Sequence, residues 1–211
     1  VSEAIAGRLL FSGQVCCASK RFLVHNSVRE TFTNKLITAL GSVVCGDPLD
    51  PAVQVGPVIN EEAAKKIEEQ VNKIIEQGGR LLLGGKRNGT FFEITVLTDV
   101  PPTSDVAKDE EIFGPVIPII GFDTTQEAIS IANASSYGLN SCVFSSNASE
   151  AMTVAYAMQA GTAVINGSGL FRSNEMPFGG HKRSGLGTEG TLTSLEECSQ
   201  LKTIVLKNII V

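Results

Sequence analysis

The run at residues 116–122, Val-Ile-Pro-Ile-Ile-Gly-Phe, constrains the fold more than any other segment. It is far shorter than the roughly 20 apolar residues needed to cross a bilayer, and it lacks the polar alternation of a strand with one wet face. A strand covered on both faces meets both conditions. Further short runs at 21–25, 80–83, 92–97, 141–145 and 162–166 read as strands. Helical periodicity fills the intervals. Ser2 stands where a cap would precede a helix carrying Ile5, Leu9 and Leu10, which Gly13 then weakens. From Ser27 onward, Val28, Phe32, Leu36 and Leu40 recur every four residues, and Gly41 loosens the end. Asn60 caps the strongest helix. Glu61 and Glu62 lie in its first turn, Ile67, Val71, Ile74 and Ile75 share a side, and Gly78-Gly79 ends it. Residues 125–134 and 148–158 read as two more helices. Strands alternating with helices predict an α/β fold with a mostly parallel sheet flanked by helices.

Composition limits what such a fold serves. With 211 residues and 22.3 kDa the chain builds one buried core more readily than two, and 43% hydrophobic against 18% charged residues excludes a disordered chain. The net charge is −5 and the 17 lysines and arginines are scattered, so neither nucleic acid nor an anionic membrane is an expected partner. No basic-then-apolar leader is visible, and the five cysteines are odd in number with no C-x-x-C spacing. Reduced thiols, a cytoplasmic location and no metal site are the expectation. Asn88-Gly-Thr and Asn147-Ala-Ser are then ordinary loop residues. A first residue of Val1, in place of Met, suggests a fragment or a processed product.

Residues 167–190 differ in kind: seven glycines and charges of both signs without periodicity read as a long functional loop. Its Gly185-Leu-Gly187-Thr-Glu-Gly190 satisfies the G-x-G-x-x-G string of dinucleotide-binding turns, but no strand precedes it and no acidic residue follows about 20 positions later. These glycines read as backbone punctuation. The apolar stretch at 203–206 reads as a terminal strand that needs a neighbouring edge, supplied by another domain or subunit.

Three segments carry the chemistry: Gly13-Gln-Val-Cys16 with Cys17 after it, Glu110-Glu111-Ile-Phe113-Gly-Pro115-Val, and Pro177-Phe178-Gly-Gly-His-Lys182-Arg-Ser-Gly185. Their order, content and spacing resemble the catalytic domain of the NAD(P)-dependent aldehyde dehydrogenase superfamily, over nearly the whole chain. The resemblance divides the chain into a catalytic domain at 1–198 and an oligomerisation strand at 199–211, and implies a homo-oligomer.

The resemblance also implies roles. Cys16 takes the nucleophile position; a thiolate adds to an aldehyde, forms a thiohemiacetal and, after hydride loss, a hydrolysable thioester. An isolated cysteine otherwise reads as a small hydrophobe, as Cys45, Cys142 and Cys198 do here, and Cys17 reads as packing or a substrate-wall residue. Glu111 accepts hydrogen bonds from the nicotinamide-side ribose hydroxyls, a task suited to an acceptor-only side chain. Phe113 packs near the nicotinamide, and Phe178 lines the substrate tunnel. Arg172 and Ser173 fall in the loop that sets substrate choice, where an arginine fork matches the carboxylate of a semialdehyde; they read equally well as a surface arginine and a loop-capping serine. His25 and His181 have no part in this chemistry.

More than half of a typical member has no counterpart here: the nucleotide-binding domain, the asparagine that helps hold the oxyanion, and the glutamate that activates water. The expected function is therefore oxidation of a small aldehyde to its acid with NAD or NADP by the whole protein, this chain alone being inactive. Two alternatives stay open: a short interaction or assembly module that augments another sheet, and an acylating enzyme in which coenzyme A takes the acyl group.

Overall fold

The computed structural model describes residues 1–208; residues 209–211 of the expected terminal segment lie outside them. The first helix, α1 (Ser2–Leu9), starts one residue earlier than a Ser2 cap allows. Val1 holds the cap position without a side-chain hydrogen bond, and the helix gives way to a 3-10 turn at Leu10–Gly13. Next come β1 (Phe22–His25) and α2 (Asn26–Leu40), whose cap is His25: its Nδ1 accepts from the Ser27 N–H at 3.1 Å. α3 (Glu61–Glu76) forms where its apolar spacing predicts, and Asn60 Oδ1 accepts from the Ala63 N–H at 2.8 Å.

The strand expected at 92–97 is divided. β2 (Arg80–Leu83) is followed by a small hairpin, β3 (Arg87–Asn88) with β4 (Phe91–Phe92), and only then by β5 (Thr95–Thr98). β6 (Val116–Phe122) occupies the run that constrained the fold. Thereafter come α4 (Thr125–Asn133), β7 (Tyr137–Gly138), β8 (Asn140–Val143), α5 (Ala148–Ala157), β9 (Thr162–Ile165), β10 (His181–Lys182) and α6 (Thr191–Glu197).

The main sheet has the order β1-β6-β5-β2. β6 is parallel to both neighbours, while β2 runs antiparallel on the edge, so the sheet is mixed and its centre is parallel. The parallel pair β8–β9 forms a separate small sheet. β6 divides its side chains between two cores. Val116 and Ile120 join Ile67, Val71 and Ile74 of α3, whereas Ile117 and Ile119 join Leu9 of α1 and Leu36 and Leu40 of α2. This period-two division is why the run is apolar throughout. Each buried aliphatic side chain of α3 contributes about 1.5–3 kcal/mol relative to exposure. The fold is α/β, with helices on both faces of the sheet. Among the described residues no helix is long and apolar enough to cross a membrane.

One expectation needs correction in the last fifth of the chain. The loop at 167–190 is partly tied down: β10 pairs antiparallel with β7, and Phe178 and Glu189 exchange both backbone hydrogen bonds at 2.7 Å. The terminal strand expected at 203–206 finds no ladder partner among the described residues, and Ile204, Val205 and Leu206 stand exposed. A strand exists only through pairing.

Candidate active site

Cys16 owes its position to an uncommon turn. Phe11, Ser12 and Gly13 have φ of 51°, 56° and 76°, three consecutive residues in the left-handed region. Only glycine visits that region freely, and other residues there cost roughly 1–2 kcal/mol each. Such strain persists where the surroundings over-determine it. Here Ser12 Oγ donates to the Gly56 carbonyl at 3.0 Å, Gln14 Nε2 donates to the Phe11 carbonyl at 3.2 Å, and Gln14 Oε1 accepts from the Ile59 N–H at 2.8 Å. Gln14 of the G-Q-x-C string thus fastens the turn to the loop before α3. Gly13 also lies so close to Gly114 that a Cβ would be driven into the Gly114 carbonyl. Beyond the turn, Cys16 is exposed and Cys17 half-buried; all five cysteines are free, and Cys45, Cys142 and Cys198 are exposed.

The middle motif meets this turn from the other side. Glu110 is half-buried, with Oε2 3.4 Å from Lys73 Nζ. Glu111, half-buried, has its backbone carbonyl held by Gln70 Nε2 at 3.1 Å. Phe113 is 42% exposed although Ile112 and Gly114 on either side are buried. The two neighbouring acids are thus equally covered and differ in partner: the Glu110 carboxylate has Lys73, whereas Gln70 holds only the Glu111 backbone.

Two cations that the motifs do not single out sit between the segments. Arg8, with no exposed surface, donates from Nη1 to the Ser19 carbonyl at 3.1 Å, and from Nη2 to the Ile112 carbonyl at 2.6 Å and to that of Gly114. Burial lowers its pKa to about 9, against the opposing pull of Glu111. Lys20 Nζ donates to the Val15 carbonyl at 3.2 Å and lies 3.6 Å from the Phe113 ring centroid. Burial, reinforced by the Arg8 charge, lowers its pKa to about 8, while Glu111 and the Cys16 and Cys17 thiols act in the other direction. The one sequence signal for Arg8 was its place on the apolar face of α1, beside Leu9; Lys20 carried none.

The third segment reaches the same neighbourhood through Arg172. Its guanidinium lies 3.9 Å above the Phe178 ring, and its charge acts on the Cys17 thiol, whose pKa is raised chiefly by burial and by the Cys16 thiol. Behind it, a Cβ on Gly169 would lie 3.6 Å from the Cys17 carbonyl. Ser173 is hydrogen-bonded to the Glu175 carboxylate, which lowers that group's pKa. Gly185, Gly187 and Gly190 all have positive φ, and the helix after them is only seven residues long and exposed.

Fold and site together describe an α/β unit built around an exposed cysteine on a strained, tightly pinned loop. Comparison with known proteins gives that class a family. The Aldehyde dehydrogenase family profile matches residues 1–204. Lactaldehyde dehydrogenase of Methanocaldococcus jannaschii is 41% identical over 206 residues, 98% of this chain and 44% of that protein. The glyceraldehyde-3-phosphate dehydrogenase GapN of the same organism, solved with NADP, matches with a TM-score of 0.92 at 41% identity, covering 96% of this chain and 44% of that one. Aldehyde dehydrogenase 21 of Physcomitrella patens, solved with its reaction product succinate, matches with a TM-score of 0.93 at 33% identity, covering 99% and 43%. The chain belongs to the aldehyde dehydrogenase family, and it spans less than half the length of these relatives.

Proposed function

We propose that this chain is the cysteine-bearing catalytic part of an NAD(P)-dependent aldehyde dehydrogenase, with Cys16 as nucleophile. The observation that carries the reading is the exposed Cys16 just beyond the left-handed turn at 11–13, which is locked against the segment that bears Glu111 and Phe113. The Cys16 sulfur adds to the aldehyde carbon, and the resulting oxyanion is met by the Cys16 backbone N–H. Loss of hydride turns the thiohemiacetal into a thioester, which water cleaves to the acid. The residues present fit the nicotinamide-riboside end of the cofactor: Glu111 is an acceptor-only group for a pair of ribose hydroxyls, and the partly exposed Phe113 ring offers a flat apolar face. Bound NAD or NADP supplies the hydride acceptor. The water-activating carboxylate and the rest of the cofactor site belong to the part of the protein beyond these residues, since Glu110 is held by Lys73 and Glu111 has the ribose.

Substrate choice falls to the loop after β9. Phe178 lines the tunnel, and Arg172, 3.9 Å above its ring, presents its fork to an anionic tail. Ser173, which caps Glu175 here, is the second donor. The preferred substrate is accordingly a small aldehyde with a carboxylate or similar anion at its far end. A charged hydrogen bond of this kind is worth about 1.5–3 kcal/mol, so Arg172→Ala is expected to lower kcat/KM for succinate semialdehyde by about tenfold or more relative to an uncharged aldehyde. Equal losses for the two substrates contradict the assignment. We also assign residues 199–211 to pairing with a second copy of the protein, the expected source of the missing edge.

The direct assay follows NADH or NADPH absorbance with a panel of aldehydes, comparing this chain with a protein that adds the nucleotide-binding part. Turnover is expected only in the longer protein and only with Cys16 present. Turnover by the short chain, lost in Cys16→Ala, overturns this division of labour between the two parts.

A further inference from the structure

We propose that Arg8 and Lys20 form a brace that positions the Cys16 loop against residues 111–114; the proposal rests on Cys16 as nucleophile. The Arg8 guanidinium grips the carbonyls immediately before and after Phe113, and with its other nitrogen the Ser19 carbonyl of the nucleophile loop. One rigid fork therefore sets the distance between the two segments and fixes the peptide on both sides of the Phe113 ring. That ring in turn carries the Lys20 ammonium at 3.6 Å. The ammonium closes the path by donating to the carbonyl of Val15, the residue just before Cys16. Connection thus runs from Arg8 through Phe113 and Lys20 to the nucleophile.

The chemistry of Arg8 points to more than a structural tie. A fully buried cation with carbonyls for partners and no ion pair among the described residues is expensive. Its Nε finds no acceptor among the described residues, which adds to the cost. Apolar packing would join α1 to the sheet at lower cost. What the guanidinium adds is geometry: two nitrogens at fixed separation, each aimed at a different segment. Lysine cannot reproduce it, because ammonium donors radiate from a single atom. What Lys20 adds is a donor fixed on the Val15 carbonyl and seated on the Phe113 ring, which ties the residue before Cys16 to the 111–114 segment. Both cations lie in the field of Glu111, so the brace also holds that carboxylate's segment in register with the sulfur.

The test uses this 211-residue chain and the probe iodoacetamide. The alkylation rate of each cysteine is followed by peptide mass spectrometry between about pH 6 and pH 10, alongside thermal unfolding, in the parent chain, Arg8→Lys, Lys20→Met and the double variant. Loss of the brace displaces the Cys16 loop, and each single variant is expected to slow Cys16 alkylation at neutral pH by about three- to tenfold. Because the two residues act in series, the double variant is expected to be no slower than the slower single one. Unchanged Cys16 alkylation in a less stable Arg8→Lys, strictly multiplicative losses, or loss of the fold in both single variants reduces the pair to structural ties and overturns the proposal. A parent chain in which Cys16 reacts more slowly than exposed Cys45 and Cys198 overturns the nucleophile reading as well.

Discussion

Cys16→Ser, made in a protein that joins this chain to its nucleotide-binding part, is expected to lower kcat for aldehyde oxidation by roughly 10³-fold or more. The loss comes from the nucleophile alone. A thiol near neutral pH already carries a fraction of thiolate, whereas a serine hydroxyl needs a base at hydrogen-bond distance. Beside Cys16 the Lys20 ammonium donates to the Val15 carbonyl and, while charged, cannot take a hydroxyl's proton. An oxygen ester would also release its acyl group less readily than a thioester does. Cys17→Ser serves as the control: Cys17 is half-buried, and burial favours its neutral thiol, so most of the activity is expected to remain. Steady-state NADH or NADPH formation reads both variants. Equal losses in the two would mean that the sequence motif had pointed to the wrong sulfur.

Gly13→Ala has the second large expected effect, and it falls on stability as well as on activity. The added methyl would sit on a backbone with φ of 76° and press into the Gly114 carbonyl, backbone on both sides with no flexible side chain to move aside. Relief requires the turn to unwind from its left-handed conformation, which parts Ser12 from Gly56 and Gln14 from Ile59. Backbone strain and overpacking together amount to about 2–4 kcal/mol, a Tm loss of roughly 5–15 °C for a chain of this size. Differential scanning calorimetry checks the value. A melting point within a degree or two of the parent would show that Gly13 is not the clamp between the two motifs.

The elements legible in the sequence are those whose signal is local and periodic. α3 combines an Asn60 cap, acids in the first turn and four apolar residues on one side, and it forms as spaced. β6 is legible for a different reason: a strand buried on both faces has no polar alternation to preserve. Where sequence reading fell short, the deciding partner was distant. Strand pairing broke the run at 92–97, because residues 91–92 fold back on 87–88 before β5 joins the sheet. The terminal segment forms no ladder among the described residues, because a strand needs a partner edge. Of the candidate site, Cys16, Glu111 and Phe178 are legible because their motifs are contiguous strings. Arg8 is not, since its partners Ile112 and Gly114 lie more than 100 residues along the chain. Nor do Phe11 and Ser12 announce positive φ, as neither residue type favours it; the constraint comes from Gly56, Ile59 and Gly114 around them.

Trapping the covalent intermediate would decide whether Cys16 is the nucleophile. The protein joined to its nucleotide-binding part would be mixed with saturating NAD or NADP and succinate semialdehyde, quenched in acid within the first turnover, and digested for peptide mass spectrometry. An acyl adduct is expected on the peptide containing Cys16, confined to that sulfur and absent when the cofactor is withheld. An adduct on Cys17 or another residue, or full turnover with no acyl-enzyme in Cys16→Ala, would contradict the assignment.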